Sequence, residues 1–416
     1  MQNRKPHIVI VSTWYPPVMG VAVNRIRAFA NYLNKDKYDV TVISLLENDS
    51  LAFEEQNGLK VHRVVNNSIL RLPSFDKSVS RIHHIFKVLW KLLIIKIQKD
   101  EYSSWKNNSV KKLIEINDEH GIDLIISSYP TISAHEAVML FKKEEPNIKW
   151  IADMRDEMSR NPFLSSKQKK QFKKWEGKIN SQADAITSVS DPILNDFKKD
   201  FKGVKYFEEI RNGFDNDYLE NSLIKPSYNE TLTFLYAGTF YGSRKPNTFL
   251  EALAGLTIQN KMPAKWKFRI IGSSSSFKIP KNIVDNIEFV DKMSQSQCEL
   301  EMFSADINVF IHPDMGVKGV YSGKLFDYLS VGKPILAITD TDDVAAKLIQ
   351  HLKAGYIADF DSAEEISKEI ITAIEYWNNK TTLDMDIQGI IKLHRKHQVK
   401  KLELLIDRLN VETPNN

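Results

Sequence analysis

The sequence contains a single cysteine, Cys298, among its 416 residues. One cysteine excludes an intramolecular disulfide framework and a cysteine-based zinc site. The sequence also lacks the ~18–20 consecutive apolar residues of a membrane span, since the nearest approach, residues 85–97, is interrupted by three lysines. The N-terminus has no apolar core of the ~7–15 residues that a secretory signal requires. We therefore expect a cytoplasmic protein, with at most peripheral contact at the inner face of the plasma membrane.

The chain also has little net charge. Fifty-seven Lys and Arg residues against 53 Asp and Glu residues leave a net charge of +4, which disfavours a nucleic-acid-binding protein. The phosphate-binding patterns G-x-G-x-x-G and G-x-x-x-x-G-K-[ST] are both absent. The length predicts two or three domains.

Short apolar runs alternate with helical patterns from end to end, as in an α/β protein built from βαβ units with doubly wound sheets. The predicted strands are 8–12, 40–45, 124–127, 150–152, 185–189, 234–237, 268–271, 287–290, 307–311, 334–338 and 355–357. They are too many for one sheet, so we predict two Rossmann-like domains, at 1–212 and 232–388. Residues 213–231 form the linker, and 389–409 are predicted to form one amphipathic helix.

A basic segment, residues 78–112, interrupts this alternation. Its lysines and arginine are interleaved with apolar and aromatic residues, a composition typical of helices that lie on anionic membranes. A long helix packed on its own domain, with solvated lysines, is an equally acceptable interpretation.

Two groups of residues in the N-terminal half are candidates for chemistry. The loop 14–20 ends in Gly20 and precedes a helix predicted at 24–33, whose first turns carry Asn24 and Arg25; such a start favours an anion, although a simple βα turn is the alternative. Asp153, Arg155 and Asp156 follow a predicted strand, where open α/β sheets place functional groups. The alternative there is a surface ion pair.

Two more groups lie in the C-terminal half. Residues 236–245, YAGTFYGSRK, combine a glycine-bearing turn with Arg244 and Lys245, which suit a diphosphate. Further on, Ser322 and Gly323 begin a predicted helix, and Asp327 lies one turn inside it. Free N–H groups at that end would favour an anion, and the Asp327 carboxylate could accept hydrogen bonds from a ribose; plain capping is the alternative.

In this order, the segments VSTWYPPVMG, ADMRDEMSRNP, ITSVSDPILNDF with IRNGFD, YAGTFYGSRKP and SGKLFDYLSVGKPIL resemble the nucleotide-sugar-dependent glycosyltransferases of the GT-B fold, family 4 in particular. The resemblance covers nearly the whole chain. It implies two Rossmann-like domains facing a cleft, with the C-terminal helix 389–416 completing the N-terminal, acceptor-binding domain. It also implies retaining transfer from a nucleoside diphosphate sugar, UDP before GDP, to a lipid-linked or glycan acceptor in bacterial surface polysaccharide biosynthesis. No cofactor and no metal are expected.

The resemblance assigns roles to individual residues. Gly20 is expected near the reaction centre, with Asp153, Arg155 and Asp156 in the catalytic region and Asn24, Arg25 and His135 on the acceptor side. The expected donor-binding residues are Gly238, Thr239, Arg244, Lys245, Gly272, Val290, Gly319, Val320, Tyr321, Ser322, Gly323, Lys324 and Asp327.

The sequence departs from the family at several of these positions. Asp327 replaces the second glutamate of the family's Glu-x7-Glu pair, and Gly319 replaces the first. Thr239 stands where an arginine is common. His135 lies inside a predicted helix, where a structural role is more frequent. The pattern Asp340-Thr-Asp342 matches a D-x-D metal motif, but we interpret it as helix capping. A transferase with a soluble acceptor, a GT-B epimerase and a non-catalytic GT-B protein remain alternatives.

Overall fold

The computed structural model describes residues 4–47, 50–67, 86, 89, 101–220, 229–242, 244–273, 277–313, 316 and 318–409. The chain forms two compact units. The first unit comprises Met1–Val189, Leu194–Ile210 and Val399–Asn416. The second comprises Ser190–Ile193 and Arg211–Gln398. Most of the basic segment 78–112 lies outside the described residues.

The first unit is built on an eight-stranded sheet of order β3-β4-β2-β1-β5-β6-β7-β8. Its strands are β1 (His7–Val11), β2 (Asp39–Leu45), β3 (Phe53–Gln56), β4 (Leu59–Val64), β5 (Leu124–Ser128), β6 (Lys149–Asp153), β7 (Ala185–Ser188) and β8 (Tyr206–Glu209). The helices between them are α1 (Val21–Tyr32), α2 (Ser103–His120), α3 (Ile132–Phe141), α4 (Ser166–Gln182) and α5 (Asp191–Asp200). A 3-10 turn, Met158–Arg160, precedes α4.

The second unit has a six-stranded parallel sheet of order β11-β10-β9-β12-β13-β14, which is the order of a Rossmann fold. Its strands are β9 (Leu232–Ala237), β10 (Trp266–Ile271), β11 (Ile287–Val290), β12 (Ile307–His312), β13 (Ile335–Thr339) and β14 (Gly355–Ala358). Its helices are α6 (Asn247–Ile258), α7 (Gln295–Ser304), α8 (Gly323–Ser330), α9 (Val344–His351), α10 (Ala363–Asn378) and α11 (Ile387–Ile391). The prediction of an α/β fold with doubly wound sheets is confirmed.

Strand β9 is buried on both faces of the sheet, which explains why most of its residues are apolar. Phe234 and Tyr236 pack into the core on one face of the sheet, whereas Leu235 and Ala237 pack into the core on the other. Successive side chains of a strand point to opposite faces. Because helices cover both faces, a polar side chain in β9 needs a hydrogen-bond partner inside the protein, as the Thr233 hydroxyl has in the carbonyl of Thr231.

The sequence predictions omitted the hairpin β3–β4. These strands pair in antiparallel register, with Phe53 opposite His62, and are joined by Asn57 and Gly58. Both turn residues have a positive φ, 52° and 72°, as a tight hairpin turn requires. The polar, exposed edge strand β3 carries no apolar run, so the Asn-Gly pair was the available signal.

The single helix predicted over 389–409 is wrong. The segment forms α11 and then α12 (Arg395–Arg408), and the break coincides with a bridge between Phe214 and His394. The backbone N–H of Arg395 donates to the carbonyl of Phe214 at 2.9 Å, which interrupts the helical hydrogen bonding. Leu402, Leu405 and Ile406 of α12 are fully buried in the core of the first unit. None of the described helices is long and apolar enough to cross a membrane.

Candidate functional site

The loops after β9 and β12 form the candidate site of the second unit. These two strands are neighbours in the sheet, but helix α6 follows one and α8 the other, so the chain leaves them toward opposite sides. Open α/β sheets bind ligands beyond the carboxyl ends of the strands at such a switch point. Tyr236, Gly238, Arg244, His312 and Lys324 are the residues that line it most closely.

Gly238 makes room for the side chain of Lys324. It has a φ of +131°, and a Cβ atom placed on it would lie 2.0 Å from the Lys324 Nζ. The Lys324 ammonium donates to the Tyr236 hydroxyl at 2.8 Å. A side chain at position 238 would therefore expel the ammonium from the turn that follows β9.

Arg244 is held by a neutral acceptor. Its Nη2 lies 2.6 Å from the Nδ1 of His312, and a guanidinium can only donate, so Nδ1 must be unprotonated. Burial, together with the charge of Arg244, lowers the pKa of His312 to about 4. The imidazole therefore positions the guanidinium at neutral pH without neutralising it.

Arg244, which is buried, and Lys324, which is partly buried, together leave an excess of positive charge. Arg244 is only 7% exposed, and burial followed by the charge of Arg244 lowers the pKa of Lys324 to about 8. Among the described residues, neither cation forms an ion pair, and the Arg244 Nε has no hydrogen-bond partner. Two cations that are shielded from solvent and form no ion pair suit a ligand that supplies negative charge of its own.

The N-terminus of α8 adds hydrogen-bond donors to the same loops. Ser322 is the N-cap, but its hydroxyl makes no capping hydrogen bond. The N–H groups of Gly323 and Lys324 belong to the first turn, which has no intrahelical acceptors. With the partial positive charge of a helix start, this arrangement also favours an anion.

Asp327 lies one turn into α8. Burial raises the pKa of its carboxyl to about 6, against the opposing effect of Arg395. In the described structure the carboxyl oxygens accept no hydrogen bond, while Arg395 itself is bound to Asp215 at 2.6 Å. A partly buried carboxyl with free acceptor positions is available to ligand hydroxyl groups.

The other residues expected at the donor site are distributed around this cluster. Thr239 donates its hydroxyl to the Gly272 carbonyl at 3.2 Å, and the Gly319 N–H donates to the Asp343 carboxylate at 2.8 Å. Both glycines have positive φ angles, 78° and 95°. Lys245 is exposed, unlike its neighbour Arg244. Tyr321 is buried against Phe326, with Val320 beside it, and Val290 ends β11.

In the first unit, Arg25 and Asp153 form a buried ion pair. The guanidinium donates to the carboxylate at 2.7 and 3.0 Å and to the Ile210 carbonyl at 2.5 Å. The Asp153 carboxylate also accepts the hydroxyls of Ser128 and Thr187, each at 2.7 Å. Burial raises its pKa, but Arg25 and these hydrogen bonds overcome that effect and leave the pKa below its usual value. The arrangement ties β5, β6 and β7 to α1.

The neighbours of this ion pair are more available for chemistry. Arg155 is 8% exposed, and its Nε has no hydrogen-bond partner in the described structure. Asp156 is partly exposed, and burial raises the pKa of its carboxyl against the opposing charge of Arg155. Helix α1 begins at Val21, three residues before the predicted start, so exposed Gly20 is its N-cap and Asn24 lies in the second turn.

His135 lies inside the first unit. Its ring is fully buried, with Nδ1 2.7 Å from the Ser127 hydroxyl, which in turn accepts the indole N–H of Trp150 at 2.7 Å. The hydroxyl therefore donates to Nδ1. Burial lowers the pKa of His135 to about 4, so the ring is neutral at physiological pH. These contacts are those of a packed structural histidine.

The Asp340-Thr-Asp342 pattern precedes α9. Asp340 pairs with Lys318 and accepts the N–H of Asp342, while the following residue, Asp343, is the N-cap. Within the ranges that the structure describes, no group of three His, Cys, Asp or Glu side chains could hold a metal ion.

Sequence reasoning missed Tyr236 and His312 as members of the site. His312 is the last residue of β12, one residue beyond the predicted strand end. A polar residue at the carboxyl end of a strand next to the switch point was the signal that could have identified it.

Comparison with known proteins gives one family match. Residues 231–376 match the family model described as "Glycosyl transferases group 1". This range lies wholly within the second unit and contains Tyr236, Arg244, His312, Lys324 and Asp327. No curated protein matches the chain in sequence.

Several solved structures are similar over nearly the whole chain. Sucrose-phosphate synthase from Thermosynechococcus elongatus is 12% identical, with 98% of this chain and 99% of that chain covered and a TM-score of 0.63. A lipopolysaccharide outer core galactosyltransferase in its apo form is 14% identical (97% and 99% covered, TM-score 0.58). A structure from E. coli, "Trehalose-6-phosphate … bound with UDP-2-fluoro glucose", is 10% identical (97% and 98% covered, TM-score 0.61). These similarities establish the GT-B fold.

Proposed function

We propose that the protein is a retaining glycosyltransferase of family 4 that transfers a hexosyl or N-acetylhexosaminyl group from a nucleoside diphosphate sugar, with UDP preferred over GDP. The observation that carries the proposal is the buried Arg244 and the partly buried Lys324, which form no ion pair among the described residues, beside the free N-terminus of α8. A diphosphate matches this site in charge and in hydrogen-bond demand.

The same geometry fits the chemistry of transfer. The bond between the sugar and the diphosphate breaks with negative charge developing on the leaving phosphate oxygen. Fixed cations and helix N–H groups lower the energy of that charge without reorganisation. Arg244, Lys324 and the N–H groups of Gly323 and Lys324 hold this role, and Asp327 would accept hydrogen bonds from the ribose. Because the protein supplies these cations, we propose that the reaction needs no metal ion.

The first unit would bind the acceptor. Gly20 and the N-terminus of α1 offer free N–H groups, while Arg155 and Asp156 are charged side chains that follow the carboxyl end of β6. We propose a lipid-linked or glycan acceptor in the synthesis of a bacterial surface polysaccharide, with the protein at the inner face of the plasma membrane. The similar lipopolysaccharide galactosyltransferase supports this choice, whereas sucrose-phosphate synthase favours a soluble acceptor.

An assay of nucleotide release tests the proposal. The full chain is incubated with UDP- and GDP-linked sugars, with and without bacterial lipid extract and EDTA, and the freed nucleoside diphosphate is measured. We expect release from one donor, stimulated by lipid extract and unchanged by EDTA. The matched variants are Arg244→Ala, which should abolish release, and Lys347→Ala, which removes an exposed lysine of α9 and should not. A lack of release under every condition would contradict the proposal, and release that requires a divalent cation would refute its metal-independent form.

A further inference from the structure

Helix α4 presents an uninterrupted row of lysines to solvent. Lys167, Lys170, Lys174 and Lys178 are all exposed, and their spacing of three and four residues places them on one helix face. The row is about 16 Å long at 1.5 Å per residue. In the part of the chain that the structure describes, none of the four forms an ion pair.

No acidic side chain of α4 neutralises the charge of these lysines at the helix surface. Glu176 is the only acidic residue of α4, and its side chain is buried. Its carboxylate accepts the N–H and the hydroxyl of Ser159, both at 2.8 Å. The outer face of α4 therefore carries positive charge alone.

The adjacent surface continues this charge and adds an apolar residue. Lys173 on α4 pairs with Asp200, the last residue of α5, at 2.9 Å, and Lys198 and Lys202 on either side of Asp200 are exposed. Residues 160–205 contain eleven basic and five acidic residues, although the whole chain has a net charge of only +4. Phe163, just before the N-terminus of α4, is 68% exposed.

We propose that the outer face of α4, with Phe163, docks the first unit onto an anionic lipid surface. A straight row of unpaired lysines on a convex helix meets a flat layer of anionic headgroups, and an exposed aromatic ring beside it can enter the interface. Single-stranded nucleic acids are held in grooves lined by stacking aromatics, and arginine is preferred for phosphate recognition in nucleic acids. The row has neither feature, so the lipid surface is the better match.

Vesicle binding of the full-length protein tests this proposal. The partition coefficient is measured with phosphatidylcholine vesicles with and without phosphatidylglycerol, at low and high salt. We expect salt-sensitive binding only with phosphatidylglycerol. Replacing Lys167, Lys170, Lys174 and Lys178 by Gln should lower the partition coefficient roughly 100-fold or more, because each lysine near the surface contributes about a fivefold factor. Phe163→Ala should lower it roughly tenfold, and Phe163→Trp should preserve binding.

A matched control removes the same charge elsewhere. Lys261, Lys265, Lys347 and Lys368 are exposed lysines of the second unit, and replacing these four by Gln should leave vesicle binding intact. Equal loss in both variants, or no loss in the α4 variant, would overturn the proposal. So would release by Gln substitutions at Lys87, Lys91 and Lys96 alone, or binding to RNA with none to vesicles. UDP affinity measured on the same variants tests the proposed donor site separately, and we expect it to be unchanged.

Discussion

At the scale of single residues, some of the donor-site candidates are buried and others are exposed, and the sequence did not predict which. Arg244 and Lys245 are adjacent basic residues, yet one is buried against His312 and the other is exposed. Burial depends on which side of the turn faces the sheet, and two adjacent basic residues in a sequence do not indicate which of them faces it. The position of Lys324 was not predictable either. Its ammonium can approach Tyr236 only because Gly238 has no side chain.

Asp327 is placed where it reduces the stability of the fold. Its pKa is raised to about 6, so the folded protein holds this proton more tightly than the unfolded chain does. Stability from this group is present at low pH and is lost as the pH rises through about 6, with a loss of order 1–3 kcal/mol above it. Functional sites commonly retain groups of this kind.

Asp327→Asn should therefore stabilise the empty protein while weakening nucleotide binding. We expect a higher melting temperature than wild type above pH about 6 and no difference below pH about 3, because the wild-type carboxyl is then protonated in both the folded and the unfolded state. UDP should bind more weakly to the variant, because the amide replaces one carboxylate oxygen by an N–H donor and lacks the negative charge that strengthens hydrogen bonds from the ribose. Asp342→Asn, which changes an exposed carboxyl of the same unit, is the control for melting temperature. A variant with wild-type stability at both pH values, or with undiminished UDP affinity, would remove Asp327 from this role.

At the scale of elements, long apolar runs were predictable and exposed or interrupted elements were not. Strands such as β9, β12 and β13 are buried on both faces, so most of their residues are apolar. The hairpin β3–β4 is a polar edge, and the division between α11 and α12 arises from a pairing with Phe214, which is distant in sequence. The sequence around residue 394 contains no pattern that predicts a contact with a residue so far away in the chain.

Two leucines of helix α12 allow its packing against the first unit to be tested by substitution. Leu402 is fully buried in the core of the first unit, while Leu404 on the same helix is 62% exposed. Leu402→Ala should lower the free energy of unfolding of this unit by about 2–5 kcal/mol, because it removes buried apolar volume and leaves a cavity. Leu404→Ala should change it by less than about 0.5 kcal/mol. Denaturant unfolding measures both, and equal effects would show that the helix does not pack as described.

At the scale of the whole molecule, the fold was predictable from the alternation of strands and helices, and the position of the site followed from the fold. Both sheets have the Rossmann order at their centres, so their carboxyl edges are the places where a ligand is expected. The chemistry of those edges depends on particular side chains. In the second unit they form an excess of positive charge, and in the first a charge-balanced pair, Arg25 with Asp153. This contrast supports the proposal that the anionic donor binds to the second unit.

The proposed function requires that the loops after β9 and β12 bind a nucleoside diphosphate through Arg244 and Lys324. Calorimetric titration with UDP and GDP, below and above pH about 8 and with EDTA present, measures this binding. We expect tighter binding below pH about 8, because only protonated Lys324 pairs with phosphate, and a loss of roughly 100-fold or more in Arg244→Ala. Lys347→Ala should keep wild-type affinity, and EDTA should have no effect. Affinity that is independent of pH and unchanged by Arg244→Ala would show that this site does not bind the diphosphate.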